Sequence, residues 1–183
     1  MTGTISLLEF LNEPLKITKP IRLIELFAGY GSQALSLKYL GVPFEHWKIA
    51  EWNYKSFDAY NKLHFADTTD YSKGKSKEWL IDYLSKKNIS ADWNKPMSYE
   101  QIKRLSEHQI RKIYNDIQAT HNLVNISQVT ANDLDINDNH YCYILTYSFP
   151  CQDLSLAGNT AGMDRESGTR SSLLWEVERV LKD

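Results

Sequence analysis

The chain alternates between short apolar runs and segments in which apolar residues recur every three or four positions. Ile21-Arg22-Leu23-Ile24-Glu25-Leu26-Phe27 reads as a strand, and Ala28-Gly29-Tyr30-Gly31-Ser32 reads as a tight turn. Gln33 to Leu40 has helical spacing, with Ala34, Leu37 and Leu40 on one face; Gly41 ends the helix and Pro43 blocks its continuation. Phe44 to Glu51 holds a second strand, centred on His46-Trp47-Lys48-Ile49-Ala50. Asn53 is placed to cap a helix from Tyr54 to His64, with Phe57, Tyr60 and Leu63 on its apolar face. This strand–helix–strand–helix order predicts the start of a parallel α/β sheet with right-handed crossovers.

The rhythm breaks over residues 67–125, which read as a helical insertion between sheet strands. Lys75 to Lys87 predicts one helix, with Trp79, Leu80, Tyr83 and Leu84 as its stripe. Ser98-Tyr99-Glu100-Gln101 has capping-box spacing and predicts a second helix reaching Thr120. Asn125 to Val129 predicts a short strand, and Thr130 to Asp135 a turn-rich acidic corner. Cys142 to Ser148 predicts a further strand, and Leu173 to Leu181 a final helix. Before all of these, residues 1–20 read as a leader in which Ile5 to Leu11 forms a short helix, punctuated by Pro14 and Pro20.

The 183 residues suffice for one domain with a real core, and 42% hydrophobic and 24% charged residues are ordinary for a globular protein. No apolar run is long enough for a membrane span and no secretory signal is evident, so a cytoplasmic location and no membrane partner are expected. Cys142 and Cys151 are the only cysteines, and nothing suggests a disulfide framework or a four-ligand zinc site; no metal is expected. The net charge of −2 does not announce a nucleic-acid binder. Its distribution is uneven, because residues 73–112 carry 10 basic and 5 acidic side chains. Such a block can face phosphates, although it more often forms a solvated helix surface.

Two stretches carry candidate chemistry. The first is Gly29-x-Gly31-x-x-Ala34, between a strand and a helix, with Glu51 at the end of the next strand. Glycines let a ligand approach the backbone, and an acid at that place can bond ribose hydroxyls. Trp52 beside the acid can stack on a purine. The turn alone fits a nicotinamide dinucleotide, a flavin or S-adenosylmethionine. The second stretch is Ser148-Phe149-Pro150-Cys151-Gln152, where a strand hands over to a glycine-bearing loop and presents a thiol. A hydride-transfer enzyme has no need of such a thiol. A methyl-transfer enzyme acting on a pyrimidine carbon does, since adding a thiolate to the neighbouring ring carbon makes the ring an enamine that attacks an electrophilic methyl group.

Phe27-Ala28-Gly29-Tyr30-Gly31, Glu51-Trp52, and Phe149-Pro150-Cys151-Gln152 followed by Ser155 and Gly158, resemble three motifs of the DNA (cytosine-5)-methyltransferases, in the same order. Gly168 to Glu176 is similar to a fourth. The resemblance covers about residues 21–66 and 127–183. It implies a Rossmann-like S-adenosylmethionine-dependent fold whose strands run in the order 3-2-1-4, interrupted by the insertion. It implies Cys151 as the nucleophile toward cytosine C6, in a catalytic loop with Pro150, Gln152 and Ser155. It implies cofactor contacts from Phe27, Ala28, Gly29, Tyr30, Gly31, Glu51, Trp52 and Leu173, with Asp133 and Leu134 reading the adenine edge. Gln152, Ser155, Arg165 and Arg170 would belong to the loop that closes on double-stranded DNA, whose target base leaves the stack.

The family pattern also includes a Glu-Asn-Val motif, an arginine-bearing motif and a target-recognition region, and no Glu-Asn-Val occurs in these 183 residues. The sequence therefore reads as the N-terminal part of a methyltransferase catalytic domain, silent or nearly so by itself. The strand Cys142–Ser148 is expected at a sheet edge, where it invites self-association or a complementing C-terminal subunit. Other readings that the residues allow are a relative acting on cytosine in tRNA, a non-catalytic cofactor-binding or interaction module, and a nicotinamide-dependent oxidoreductase.

Overall fold

The computed structural model describes residues 17–150, 164, 169 and 171–182. Strand β1 (Ile21–Leu26) is the central element, and four of its side chains, Leu23, Ile24, Glu25 and Leu26, are almost wholly buried. Helix α1 (Ser32–Tyr39), β2 (Phe44–Ala50) and α2 (Tyr54–His64) follow. Three helices come next: α3 (Lys77–Lys86), α4 (Tyr99–Lys103) and α5 (Glu107–Ala119). Two 3₁₀ turns, Ile126–Gln128 and Ala131–Leu134, lead to β3 (Cys142–Tyr147). A third 3₁₀ turn, Ser171–Leu173, runs into α6 (Leu174–Lys182).

Both neighbours of β1 are parallel to it, giving the order β2-β1-β3. Leu26 is paired with Ala50 on one side and Tyr147 on the other, so the carboxyl ends of all three strands reach one edge together. The mixed α/β architecture is as anticipated, but the strand order 3-2-1-4 is corrected. Residues Asn125–Val129, expected as the outer strand, turn instead. The Asn125 side chain accepts from Ser127 N–H at 3.0 Å, and Gln128 N–H donates back to Asn125 C=O at 2.9 Å. Such a local ring competes with ladder bonding. The place beside β2 is taken by a single parallel bridge from Asn122 to Ile49, where Leu123 N–H donates to Ile49 C=O at 2.8 Å. Among the described residues β3 is an edge strand, half-buried along most of its length.

Two apolar clusters flank the sheet. One joins Phe57 and Tyr60 of α2 to Leu80 and Leu84 of α3 and to Ile110, Ile113 and Ile117 of α5. The other joins Ile24, Leu26 and Ala50 to Leu134, Val177 and Val180. Helix α2 has its anticipated limits because the Asn53 side chain accepts from Lys55 and Ser56 N–H. Its expected face is corrected at Leu63, which is 54% exposed, while Asn61 is buried in its stead. The α1 stripe is corrected likewise, since only Ala34 is buried and Leu40 lies open. The helix expected from Ser98 to Thr120 is two helices, because Ser106 and Gln109 form a second capping box that restarts the chain. The expected leader helix, Ile5 to Leu11, lies outside the described residues.

Candidate cofactor-binding cleft

A cavity of about 580 Å³ opens at the edge where the three strands end. Ligands in open parallel sheets bind outside the carboxyl ends of the strands. Here the cavity is lined by Phe27 and Gly29 after β1, Glu51 and Trp52 after β2, and Ser148 and Pro150 after β3. Leu173, ahead of α6, completes that side.

The first turn owes its shape to left-handed backbone. Gly29 and Gly31 have φ of +54° and +78°, and between β1 and Gly29 the non-glycine Phe27 also sits at +56°. Bulky residues at positive φ cost about 1–3 kcal/mol each and gather at ligand sites. Gly29 lines the cavity, and a Cβ placed there meets nothing within 4 Å. Gly31 differs: a Cβ there falls 2.3 Å from His64 Nε2 and 2.6 Å from Tyr60 Cε2, so glycine is required for the close approach of α2. Ala28 is buried and its N–H donates to Ala50 C=O at 3.2 Å, linking the turn to the end of β2. Tyr30 is exposed, and its carbonyl accepts from His64 Nε2 at 2.9 Å.

Glu51 is 6% exposed. Its two carboxylate oxygens accept backbone N–H groups, Oε1 from Asn53 at 2.7 Å and Oε2 from Gly29 at 3.0 Å. Burial raises its pKa, and those N–H bonds oppose the rise. The Trp52 N–H also acts on this carboxylate, which still keeps acceptor capacity for a further donor. A buried acid that faces a cavity, fixed by N–H groups and flanked by an indole, suits the hydroxyls of a ribose.

The approach to Cys151 is anchored at two points. Ser148 Oγ donates to Phe27 C=O at 3.1 Å, and the buried Ser171 Oγ donates to Pro150 C=O at 2.9 Å. Cys151, Gln152, Ser155, Arg165 and Arg170 themselves lie outside the described residues. Pro150 brings the chain to the cavity one residue before Cys151.

Asp133 and Leu134 are not brought to this cavity. The Asp133 carboxylate accepts from Thr130 N–H at 2.8 Å and Thr130 Oγ1 at 2.7 Å, capping its own turn, and these bonds hold its pKa below the usual range. Leu134 is core, and its carbonyl accepts from Trp47 Nε1 at 2.9 Å. The corresponding wall of the cavity comes from Val124, Asn125 and Ile126. Val124 has φ +71°, rare for a β-branched residue, and its N–H donates to Asn122 Oδ1 at 2.9 Å. A second unforeseen contribution is Asp92-Trp93-Asn94, from the segment between α3 and α4. A third is Glu25, buried beneath the turn, which accepts from Ala34 N–H at 3.2 Å and from the Tyr60 hydroxyl, fixing the start of α1. An apolar run broken by one acid was the available signal for Glu25; nothing local marked residues 92–94.

No group of side chains able to hold a metal ion occurs among the described residues, and no helix among them is long and apolar enough to cross a membrane.

Residues 97–183 match the family model described as C-5 cytosine-specific DNA methylase. Over 172 residues the chain is 40% identical to the orphan methyltransferase M.SssI of Spiroplasma monobiae, covering 90% of this chain and 42% of that protein. Over 165 residues it is 32% identical to the type II methyltransferase M2.ScrFI of Lactococcus lactis subsp. cremoris, covering 88% of this chain and 44% of that protein. The chain thus spans less than half the length of either relative.

Proposed function

Because the chain belongs to the C-5 cytosine-specific DNA methylase family, we propose that it binds S-adenosylmethionine in the strand-end cavity and supplies Cys151 for methylation of cytosine C5 in double-stranded DNA. The observation that carries this reading is that Pro150, next to Cys151, lines the same cavity as Phe27, Gly29, Glu51 and Trp52. A thiol and a nucleoside pocket are thereby joined by one peptide link.

The residues present fit the cofactor. Glu51 offers free lone pairs beside the open face of Gly29, where no side chain competes for space. Trp52 offers an aromatic surface at the same wall. When bound, S-adenosylmethionine supplies an electrophilic methyl group. Glu51 holds the ribose, and the Ser148 and Ser171 hydroxyls fix the backbone leading to Cys151. The Cys151 thiolate adds to C6 of the flipped base, forming a sulfur–carbon bond and making C5 nucleophilic. C5 then takes the methyl group as the bond from that methyl to the donor sulfur breaks, leaving S-adenosylhomocysteine. The C5 proton leaves to a base and the bond between the Cys151 sulfur and C6 breaks, restoring the thiolate. In this reading residues 67–125 are an insertion into the catalytic domain.

The test has two arms. Titration calorimetry with S-adenosylhomocysteine is expected to show binding that Glu51→Ala abolishes, and none with NAD. Transfer of a labelled methyl group to DNA is then measured for the chain fused to the portion of M.SssI outside the match. Activity lost in Cys151→Ser supports the reading. NAD binding without S-adenosylhomocysteine binding, or full activity in Cys151→Ser, overturns it.

A further inference from the structure

The cavity has a second tryptophan. Trp93 lines it, is 45% exposed, and stands at φ +59°. The segment that carries it is closed at its base, where Met97 N–H donates to Ile89 C=O at 2.7 Å and Ser90 bridges Pro96. Within it the Asp92 carboxylate accepts from Asn94 N–H at 2.9 Å, and Ser90 Oγ donates to Lys95 C=O at 2.9 Å. The same Ser90 is fastened to the cofactor wall. Its N–H donates to Trp52 C=O at 2.7 Å, and its carbonyl accepts from Tyr54 N–H at 3.0 Å. Trp52 and the Trp93 loop are therefore joined by main-chain hydrogen bonds, although the two tryptophans are 41 positions apart in sequence.

The two cavity tryptophans differ from those of the packed surface. Trp47 takes the Arg22 guanidinium 3.6 Å from its ring centroid, and Trp79 stacks on Tyr83 with centroids 5.4 Å apart. Neither Trp52 nor Trp93 has a ring or cation partner among the described residues. A large aromatic held in left-handed backbone, half open to solvent, at a cavity wall and without a ring partner is placed to receive a flat ligand.

We propose that Trp93 is a further nucleoside-binding residue that forms a second stacking wall for the adenosine moiety bound in this cavity. This rests on the cofactor reading above. Trp93 then sets nucleoside affinity from outside the sheet, and the loop between α3 and α4 that carries it is part of the binding site.

The experiment is calorimetric titration of the 183-residue chain, its Trp93→Ala and Trp93→Phe variants, and Glu51→Ala, with S-adenosylhomocysteine and with free adenosine. Trp93→Ala is expected to weaken both ligands by about ten-fold, the scale of one base-stacking contact. Trp93→Phe is expected to recover most of that loss, and the melting temperature without ligand stays at the wild-type value. Unchanged affinity in Trp93→Ala, with Glu51→Ala still impaired, overturns the inference alone. So does a loss confined to S-adenosylhomocysteine, which would place Trp93 at the amino-acid tail. Absence of binding by wild-type protein overturns the cofactor reading and this inference together.

Discussion

The side-chain amide of Asn122 pairs with the main chain of Glu51 as a neighbouring strand would. Asn122 Nδ2 donates to Glu51 C=O at 2.9 Å, and Glu51 N–H donates to Asn122 Oδ1 at 3.1 Å. Both residues are buried, at 5% and 6% exposure. One side chain thus finishes the pairing of β2 at the point where the ladder has ended, and it orients the acid that faces the cavity.

Replacing Asn122 by Leu leaves the Glu51 N–H and C=O, and the Val124 N–H, without those partners. Buried polar groups left unpaired cost about 1–3 kcal/mol each, so with three of them Asn122→Leu is expected to lose at least about 3 kcal/mol of stability in urea denaturation. Asn122→Asp keeps the acceptor for the two N–H groups but sets a buried carboxylate against the Glu51 carbonyl, so it is expected to lose at least as much. A loss below about 1 kcal/mol for Asn122→Leu would mean that Glu51 is held by its other contacts.

Gly29 and Gly31 are two positions apart and are expected to respond differently to the same change. Gly31→Ala forces a Cβ into His64 and Tyr60, in addition to the strain of φ +78°. A destabilisation of about 2–4 kcal/mol is expected from strain plus overpacking. Gly29→Ala meets open space and bears only the cost of φ +54°, about 1 kcal/mol. Because Gly29 lines the cavity, its variant is expected to keep the fold and to bind S-adenosylhomocysteine at least ten-fold more weakly, roughly 1.4 kcal/mol. Thermal melts with and without ligand separate the two effects.

How much of this was visible in the sequence depends on how far each feature reaches along the chain. The limits of helix α2 were legible because Asn53 and the residues it caps are neighbours, although its buried face was not, since Asn61 takes the place expected for Leu63. The central parallel pair was legible because short stretches rich in strand-forming side chains, such as Leu23-Ile24 and Trp47-Lys48-Ile49, stand on either side of the glycine turn and its helix. The outer strand was misread, since Ile126 and Val129 have strand-forming side chains but Asn125 folds the backbone onto itself. The break at Ser106 was hidden because apolar spacing continues across it. At the site, Phe27, Gly29, Glu51, Trp52, Pro150 and Leu173 were anticipated and do line one cavity. Asp133 and Leu134 were not brought there, and Asp92, Trp93, Asn122 and Asn125 were missed. Asn122 acts on the site by holding Glu51, and the loop of Asp92 and Trp93 is fastened to Trp52 through Ser90; these links join segments far apart in sequence, and no local pattern encodes such closure.

Glu25 makes stability depend on pH. Burial raises its pKa from the ordinary value of 4.5, while the Tyr60 hydroxyl and Ala34 N–H oppose the rise. A carboxyl whose folded pKa is raised contributes its stability fully below the unfolded value and loses it as pH climbs through the folded one. The wild-type chain is therefore expected to lose stability from pH 4.5 upward relative to Glu25→Gln, whose profile is flatter. His46 has the opposite sense: burial lowers its pKa to about 4, so its contribution is lost as pH falls from 6.5 toward that value. His46 is present in both proteins and drops out of their difference to first order. The check is urea denaturation at several pH values; a difference between the two proteins that does not change with pH contradicts the assignment.

The helix pair α2–α5 supplies the last test, because one cation serves two carboxylates there. Lys112 Nζ contacts Asp58, and lies 2.8 Å from Asp116 Oδ2. Asp116 is 3% exposed and also accepts from Asn61 Nδ2 at 2.9 Å, so α5 is tied to α2 by both an ion pair and an amide. Lys112→Met keeps the length of the stem but leaves Asp116 buried without its cation. Complete burial of an unpaired charge costs about 3–5 kcal/mol. Lys112 is 40% exposed, so solvent screens part of that, and roughly 1–3 kcal/mol is expected. Lys86→Met removes the exposed pair with Asp82 and is expected to stay within about 0.5 kcal/mol of wild type. High salt weakens the surface pair more than the buried one. If Lys112→Met and Lys86→Met prove equally harmless, Asp116 is neutralised by protonation rather than by its lysine.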